Sequence, residues 1–366
     1  MTKNWFKNSG PGTLVAAAFI GPGTVTLCTL AGVNFGFHLL WAMVLSIVAT
    51  IVLQEMASRL GIISQKGLSE VIRAEIKHPI INKLIMLLIL LAIVVGNASY
   101  EAGNISGGIL GLETITGELR IALGNYSLNV LSFVVGIIAF ILLYIGNYKF
   151  LERVLVMLVV IMSISFLITA FLTKPAISSI LKGALVPSFP EGSLLTILGL
   201  VGTTVVPYNL FLHASLVKEK WNSPKDLRFA QKDALIAIIL GGIVSMCIIV
   251  SAAAIQTQEL TSAADLAKGL EPLFGSYSKY VLACGLFAAG ITSAITAPLA
   301  AAYVASGCLG WSSNLKSLKF RAVWIFVLVI GVMSSTSGIK SIEIIKFAQV
   351  ANGILLPVIA GFLFWI

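Results

Sequence analysis

Charge is scarce in this sequence. Asp, Glu, Lys and Arg make up 11% of its 366 residues, less than half the share in a soluble domain, about 25%. Water does not keep so apolar a surface in solution, and no soluble core hides as many long apolar runs as this chain carries. Histidine is scarcer still, with three residues. The four cysteines, Cys28, Cys247, Cys284 and Cys308, lie in or beside apolar runs and form no CxxC pair. That excludes a zinc-ligand cluster or a disulfide framework and leaves them as small buried hydrophobes. With no HExxH and no nucleophile elbow, the chain is not read as an enzyme, and no cofactor is expected. The opening MTKNWFKNSG is too short and too polar for a signal peptide, so the first apolar run is expected to be a true span.

What is abundant is hydrocarbon. Hydrophobic residues make up 58% of the chain, with a mean hydropathy of +1.01. A helix rising 1.5 Å per residue needs about 20 apolar residues to cross a hydrocarbon core ~30 Å thick. Runs of suitable length fall at 11–33, 38–60, 83–111, 127–147, 150–172, 194–217, 229–256, 276–305, 319–336 and 343–366. The reading is an all-α integral membrane protein of about ten transmembrane helices. If the N-terminus is cytoplasmic, 17 of the 24 Lys and Arg residues fall on the inner side, as the positive-inside rule requires. The expectation is a multi-pass protein of the cell membrane. The net charge of +9 then belongs to inner loops facing the bilayer, not to a nucleic-acid surface.

Two runs are interrupted. The first carries Gly21-Pro22-Gly23, followed by Thr24, Thr26 and Thr29; the sixth carries Gly202-Thr203-Thr204, then Pro207-Tyr208-Asn209. Proline removes a backbone donor and glycine weakens a helix. In hydrocarbon such a break survives only where protein or a polar cavity satisfies the freed groups. A plain proline kink explains either break alone. Their positions, first and sixth of ten, point further. Five spans per half is an odd number, so equivalent halves have opposite orientation, and paired breaks in inverted halves mark a secondary transporter's midplane site. The halves are expected at about 11–172 and 194–366 of a single transmembrane domain.

At these breaks the chain resembles the NRAMP family of proton-coupled divalent-metal transporters. GPGTLVAAAFIGPGTVTLCTLAGVNFGFHLLW at 10–41 is similar to that family's first helix and its entry to the second. LQEMASRLG at 53–61, NYKFLERVLVM at 147–157, TTVVPYNLFLHASLV at 203–217, GLFAAGITSAITAPLAAAYVASG at 285–307 and FAQVANGILLPV at 347–358 resemble its second, fifth, sixth, eighth and tenth helices, in order. The resemblance implies a leucine-transporter-type 5+5 inverted repeat with helices 1 and 6 broken. It implies a symporter whose substrate is a divalent metal ion such as manganese, iron or magnesium.

The residues at the centre depart from the family's pattern. Gly21 and Thr24 stand where the family has the Asp and Asn of Asp-Pro-Gly-Asn; Val206 and Tyr208 stand where it has the Met and His of Met-Pro-His. Thr203 matches a backbone-carbonyl position, and Gln349 a helix-10 glutamine that can approach the metal. The substrate-binding candidates are therefore Gly21, Gly23, Thr24, Thr203, Val206, Tyr208 and Gln349, with weak metal contacts at Thr24, Thr203 and Gln349. Hydroxyls, amides and carbonyls do not strip a divalent ion as carboxylate, sulfur or imidazole do. Without the carboxylate, the positive end of the half-helix near Thr24 could instead receive an anionic or zwitterionic group. Three readings stay open: a divalent-cation transporter with altered ligands, a transporter of a small amino-acid-like or carboxylate solute, and a non-transporting sensor on the same scaffold.

Ionisable residues inside the bilayer are functional candidates by default. Asn97, Tyr100, Glu101 and Asn104 fall at i, i+3, i+4 and i+7, one helical face. Glu101 and His213, with Asn97 and Asn104, are the candidates for coupling to protons; each could equally be a satisfied structural group. His213 matches a second histidine of the family's helix 6. Glu55 and Arg59 read as an i, i+4 pair. Glu152, Arg153 and Asp233 read as interfacial anchors. Thr292, Ser293 and Thr296 read as path-lining or as helix glue, and Gly103 and Gly107 as a contact face.

Overall fold

The computed structural model describes residues 20–123, 126–146, 149–221, 223–255 and 262–366. The part of the first run at 11–19 lies outside the described residues. The rest of that run forms α1, Pro22–Phe35. The second run is α2, Leu40–Ser64. The third is one long path, α4 (Pro79–Leu90), a π turn at Leu91–Val95 and α5 (Gly96–Thr116). It starts four residues earlier than its apolarity suggests, because His78 caps it and Pro79 takes the N1 position, where a missing N–H costs nothing. The fourth and fifth runs are α6 (Val130–Ile145) and α7 (Lys149–Leu172). The sixth is split into α9 (Leu194–Thr204) and α10 (Pro207–Lys220). The last four are α11 (Leu227–Ala252), α14 (Ser278–Leu309), α15 (Leu318–Ser335) and α16 (Ser341–Trp365). Eight of these paths are long and apolar enough to cross a membrane; α6 is apolar but shorter, and α1 is described from Pro22 onward.

The structure adds elements that apolar runs do not reveal. Span four opens at Val130, not 127, because Arg120–Leu123 (β1) pairs antiparallel with Tyr126–Asn129 (β2). Asn129 then caps α6: its Oδ1 accepts from Leu131 N at 3.0 Å and its Nδ2 donates to Glu113 Oε1 at 2.8 Å. Short helices α3 (Leu68–Glu75), α8 (Ile177–Leu185), α12 (Ala263–Ala267) and α13 (Glu271–Phe274) sit in the connections. α3 buries Leu68, Val71 and Ile72 on one face. It is amphipathic, not hydrophobic all round, so a search for membrane spans passes over it. Its Glu70 Oε2 accepts from Gly67 N at 2.9 Å and from Lys218 Nζ at 3.0 Å. Next to that pair the Tyr303 hydroxyl donates to Glu219 Oε1 at 3.1 Å. The far end of α10 is thereby tied to α3 and to α14.

Small residues set the closest helix contacts. Where helices meet at the centre, backbone touches backbone. A Cβ on Gly202 of α9 would collide with the carbonyl of Gln349 on α16, and one on Gly353 of α16 with the carbonyl of Leu198. Such close packing is how helices associate in lipid, which offers no hydrophobic drive between them. Gly103 and Gly107 do form a contact face, with two partners: Gly103 lies on Ala348 and Ile345, and Gly107 against the ring of Pro22. The four cysteines are free. Cys28 and Cys308 are buried, but Cys247 is partly exposed and Cys284 exposed, so the expectation of four buried thiols holds for two.

Candidate functional site

The described helix starts at the two interruptions are alike. α9 ends at Thr204, and the chain runs extended through Val206 (φ −76°, ψ 116°) into Pro207 at the start of α10. α1 starts at Pro22 after Gly21 (φ −81°, ψ 174°). α1 and α10 each place a proline at the first position and present unpaired N–H groups beyond it. Pro207 also leaves the Thr203 carbonyl without its helical donor. α1 and α10 have no acidic residue in their first turns.

The breaks meet. Thr24 Oγ1 and Thr203 Oγ1 lie 3.0 Å apart, joined by a hydrogen bond across 179 positions of sequence. Gln349 completes the centre. Its amide lies against Gly23, where any Cβ would overlap it, while its backbone lies against Gly202. The side chain is buried and its Oε1 has no hydrogen-bond partner among the described residues. Val206 and Tyr208 are buried beside it. The Tyr208 ring meets Tyr100 edge to face at 5.3 Å. The two phenols reach each other, with Gln349 near Tyr100 and Thr296 near Tyr208. The structure thus brings Gly23, Thr24, Thr203 and Gln349 into contact at the mouths of α1 and α10, with Gly21, Val206 and Tyr208 on the same breaks. The donors offered there are neutral oxygens. Among the described residues no group of three or more His, Cys, Asp and Glu side chains could hold a metal.

The polar face of α5 is buried as its spacing suggests, but its members have separate partners. Asn97 Nδ2 donates to the carbonyl of Ala297 at 2.8 Å, one residue before Pro298 in α14. Tyr100 faces α10 and α16. Glu101 is fully buried and packs on Gly331 of α15. Its Oε2 accepts from Asn104 Nδ2 at 3.1 Å, and its Oε1 is unpartnered among the described residues. His213 lies on another seam, with Nε2 and Ser58 Oγ of α2 2.6 Å apart and Nδ1 unpartnered among the described residues. Glu55 does pair with Arg59, at 2.6 Å, and its Oε1 also accepts from Gln231 of α11 at 2.7 Å. Thr292 bonds to its own helix, at the carbonyls of Ala288 and Ala289. The side chain of Glu152 lies outside the described residues.

Two features escape the sequence patterns, one at the centre and one on the α2 seam. Tyr100 joins Gln349 to Tyr208, although spacing marks it only as one member of a polar face. Ser46, Thr50, Gln54 and Ser58 form a buried i, i+4 ladder on α2 that ends on His213. The fourfold spacing is the signal that could have found it.

The packing of Gly202 carries its own prediction. Gly202→Ala forces α9 and α16 apart at the Gln349 backbone. It is expected to cost about 1–3 kcal/mol and to abolish uptake in proteoliposomes. Wild-type uptake with an unchanged melting temperature would mean that α16 gives way freely there.

The model of a family described as natural resistance-associated macrophage protein-like matches residues 12–366. A divalent metal cation transporter MntH of Verminephrobacter eiseniae is 25% identical, covering 98% of this chain and 80% of the relative. The natural resistance-associated macrophage protein 1 of Bison bison is 29% identical over 88% of this chain and 64% of its own length. Among solved structures, the Eremococcus coleocola manganese transporter superposes with a TM-score of 0.73 at 20% identity, covering 98% of this chain and 78% of its own. Mhp1, a nucleobase-cation-symport-1 family transporter, superposes with a TM-score of 0.53 at 16% identity, over 96% and 77%. At these identities the two structures establish the shared fold, a leucine-transporter-type arrangement with its first and sixth helices broken.

Proposed function

The chain belongs to the NRAMP family of membrane transporters, and on that premise we propose that it carries a hard divalent cation that keeps part of its water shell. The observation behind this reading is the neutral oxygen set at the crossing of the breaks: the Thr24 and Thr203 hydroxyls, 3.0 Å apart, the unpartnered Gln349 Oε1, and the Thr203 carbonyl freed by Pro207. Hard cations take oxygen ligands, and magnesium in particular dehydrates reluctantly and is held through its waters. The positive ends of α1 and α10 disfavour a bare dication at this point; retained water spreads its charge. The carbonyl end of α9 favours a cation, as unwound carbonyls do in broken-helix transporters. His213 lies on the Ser58 seam, and the Met43 thioether beside the break is engaged, accepting from Thr204 Oγ1 at 3.5 Å, so the crossing itself offers oxygen to the ion. In this reading protons couple through Glu101.

One observation supports a second reading. The first turns of α1 and α10 carry no acidic residue, so their N–H groups could receive a solute carboxylate. Uptake in proteoliposomes separates the two. Magnesium, manganese and calcium are compared with a panel of amino acids and carboxylates, in wild type and in Thr24→Val and Thr203→Val. Saturable cation uptake is expected, with each valine raising KM roughly tenfold, the worth of one lost contact of about 1.4 kcal/mol. No cation binding at millimolar concentration, together with saturable uptake of a carboxylate, overturns the first reading in favour of the second.

A further inference from the structure

A cationic surface remains that plays no part in the centre. It lies where α14 ends and α15 begins, on the membrane face that the Lys and Arg bias marks as inner. The connecting segment Gly310–Arg321 reads GWSSNLKSLKFR and contains no acidic residue. Lys319 Nζ stands 5.3 Å above the Trp311 ring, and the Arg321 guanidinium 4.4 Å above the ring of Tyr144, at the end of α6. Tyr144 in turn stacks on Phe140. Arg73 of α3 joins from the side. Its guanidinium lies against Gly310, whose φ of +70° and missing Cβ both favour glycine at that position. None of Arg73, Lys316, Lys319 and Arg321 meets a carboxylate among the described side chains. Arg59, Arg120, Lys218, Lys268 and Lys346 all do. Exposed apolar side chains share the patch: Leu315 at 45%, Leu318 at 86% and Tyr144 at 55%.

We propose that this surface docks the phosphate headgroups of anionic lipids. Cations not paired with a carboxylate, two of them set on aromatic faces near the ends of spanning helices, attract a negative phosphate. The leucines and Tyr144 fit the acyl boundary beneath it. Basic clusters at this depth bind anionic headgroups, while aromatic rings settle at the interface. A nucleic acid or acidic peptide would not need Leu318 turned outward beside the lysines. Lipid held here braces α6, α14 and α15 against one another, along with the loop helix α3.

The test uses the full chain in nanodiscs of phosphatidylcholine, with and without phosphatidylglycerol. Phosphatidylglycerol is expected to raise the melting temperature by on the order of 3 °C, and native mass spectrometry is expected to show retained phosphatidylglycerol. Lys316→Gln/Lys319→Gln, at two exposed positions, is expected to lose at least half of both effects. Lys174→Gln/Lys182→Gln, at exposed positions on the opposite face, is expected to keep them. Equal stabilisation in the two lysine pairs overturns the proposal. So does the same shift produced by inorganic phosphate alone, which would make the surface a general anion site. Neither measurement involves the transported substrate.

Discussion

Gly21→Asp is expected to raise manganese affinity on the order of 100-fold, the size of one charge-assisted contact of about 2–3 kcal/mol. The wild-type centre offers a dication hydroxyls, an amide oxygen and a freed carbonyl, and no negative charge. One carboxylate at the mouth of α1 would change that balance, because it exchanges favourably with the water a dication must shed. The backbone accepts the change: Gly21 sits at φ −81°, ψ 174°, extended geometry open to any residue. Gly21 is also the N-cap of α1 and makes no side-chain cap bond. An aspartate there would accept from the first free N–H groups and add roughly a few tenths of a kcal/mol of helix stability over glycine. The Thr24–Thr203 bond is left in place. Calorimetry with manganese and magnesium, on wild type, Gly21→Asp and Gly21→Asn, reads the effect. The asparagine supplies an oxygen and the same cap without charge, so it should stabilise the helix and leave manganese binding weak. If the asparagine matches the aspartate, charge is not what the centre lacks. If neither binds manganese more tightly, the ion does not sit beside Gly21.

The sequence revealed this centre because hydrocarbon punishes broken helices. Proline and glycine in mid-span stand out against apolar runs, and two such breaks at matching places can be read without coordinates. The ten helical paths were legible for the same reason. The connecting elements were not. α3 and α8 are short and one-sided, and the hairpin 120–129 rests on a register that no apolar run betrays. Side-chain direction was only half legible. Spacing put Asn97, Tyr100, Glu101 and Asn104 on one stripe. A stripe on a helix packed by α10, α14, α15 and α16 still divides among its neighbours, and residues one position apart, Tyr100 and Glu101, reach opposite ones. The π turn at Leu91–Val95, just before this stripe, shifts the helical phase, and spacing rules that assume 3.6 residues per turn do not anticipate it.

Glu101→Gln is expected to flatten the pH dependence of uptake while leaving the fold intact. The carboxyl is sealed off, with one oxygen held by Asn104 and the other unpartnered, and no Lys or Arg pairs with it among the described residues. Glutamine has the same shape and keeps an oxygen for Asn104, so the melting temperature should stay within a few degrees. What it loses is the ability to gain or release a proton. If one proton moves with each solute, every pH unit across the membrane is worth about 1.4 kcal/mol, or a tenfold change in steady-state accumulation. Accumulation in wild-type proteoliposomes should therefore rise about tenfold per unit when the side from which solute enters is made acid. In Glu101→Gln the same gradient should change nothing, while exchange at equal pH continues. His213→Gln is the useful contrast, because His213 lies on the α2 seam with Ser58, away from Gly331. If the gradient response survives Glu101→Gln and disappears in His213→Gln, the proton travels along α2, and Glu101 serves to hold α5 against α15.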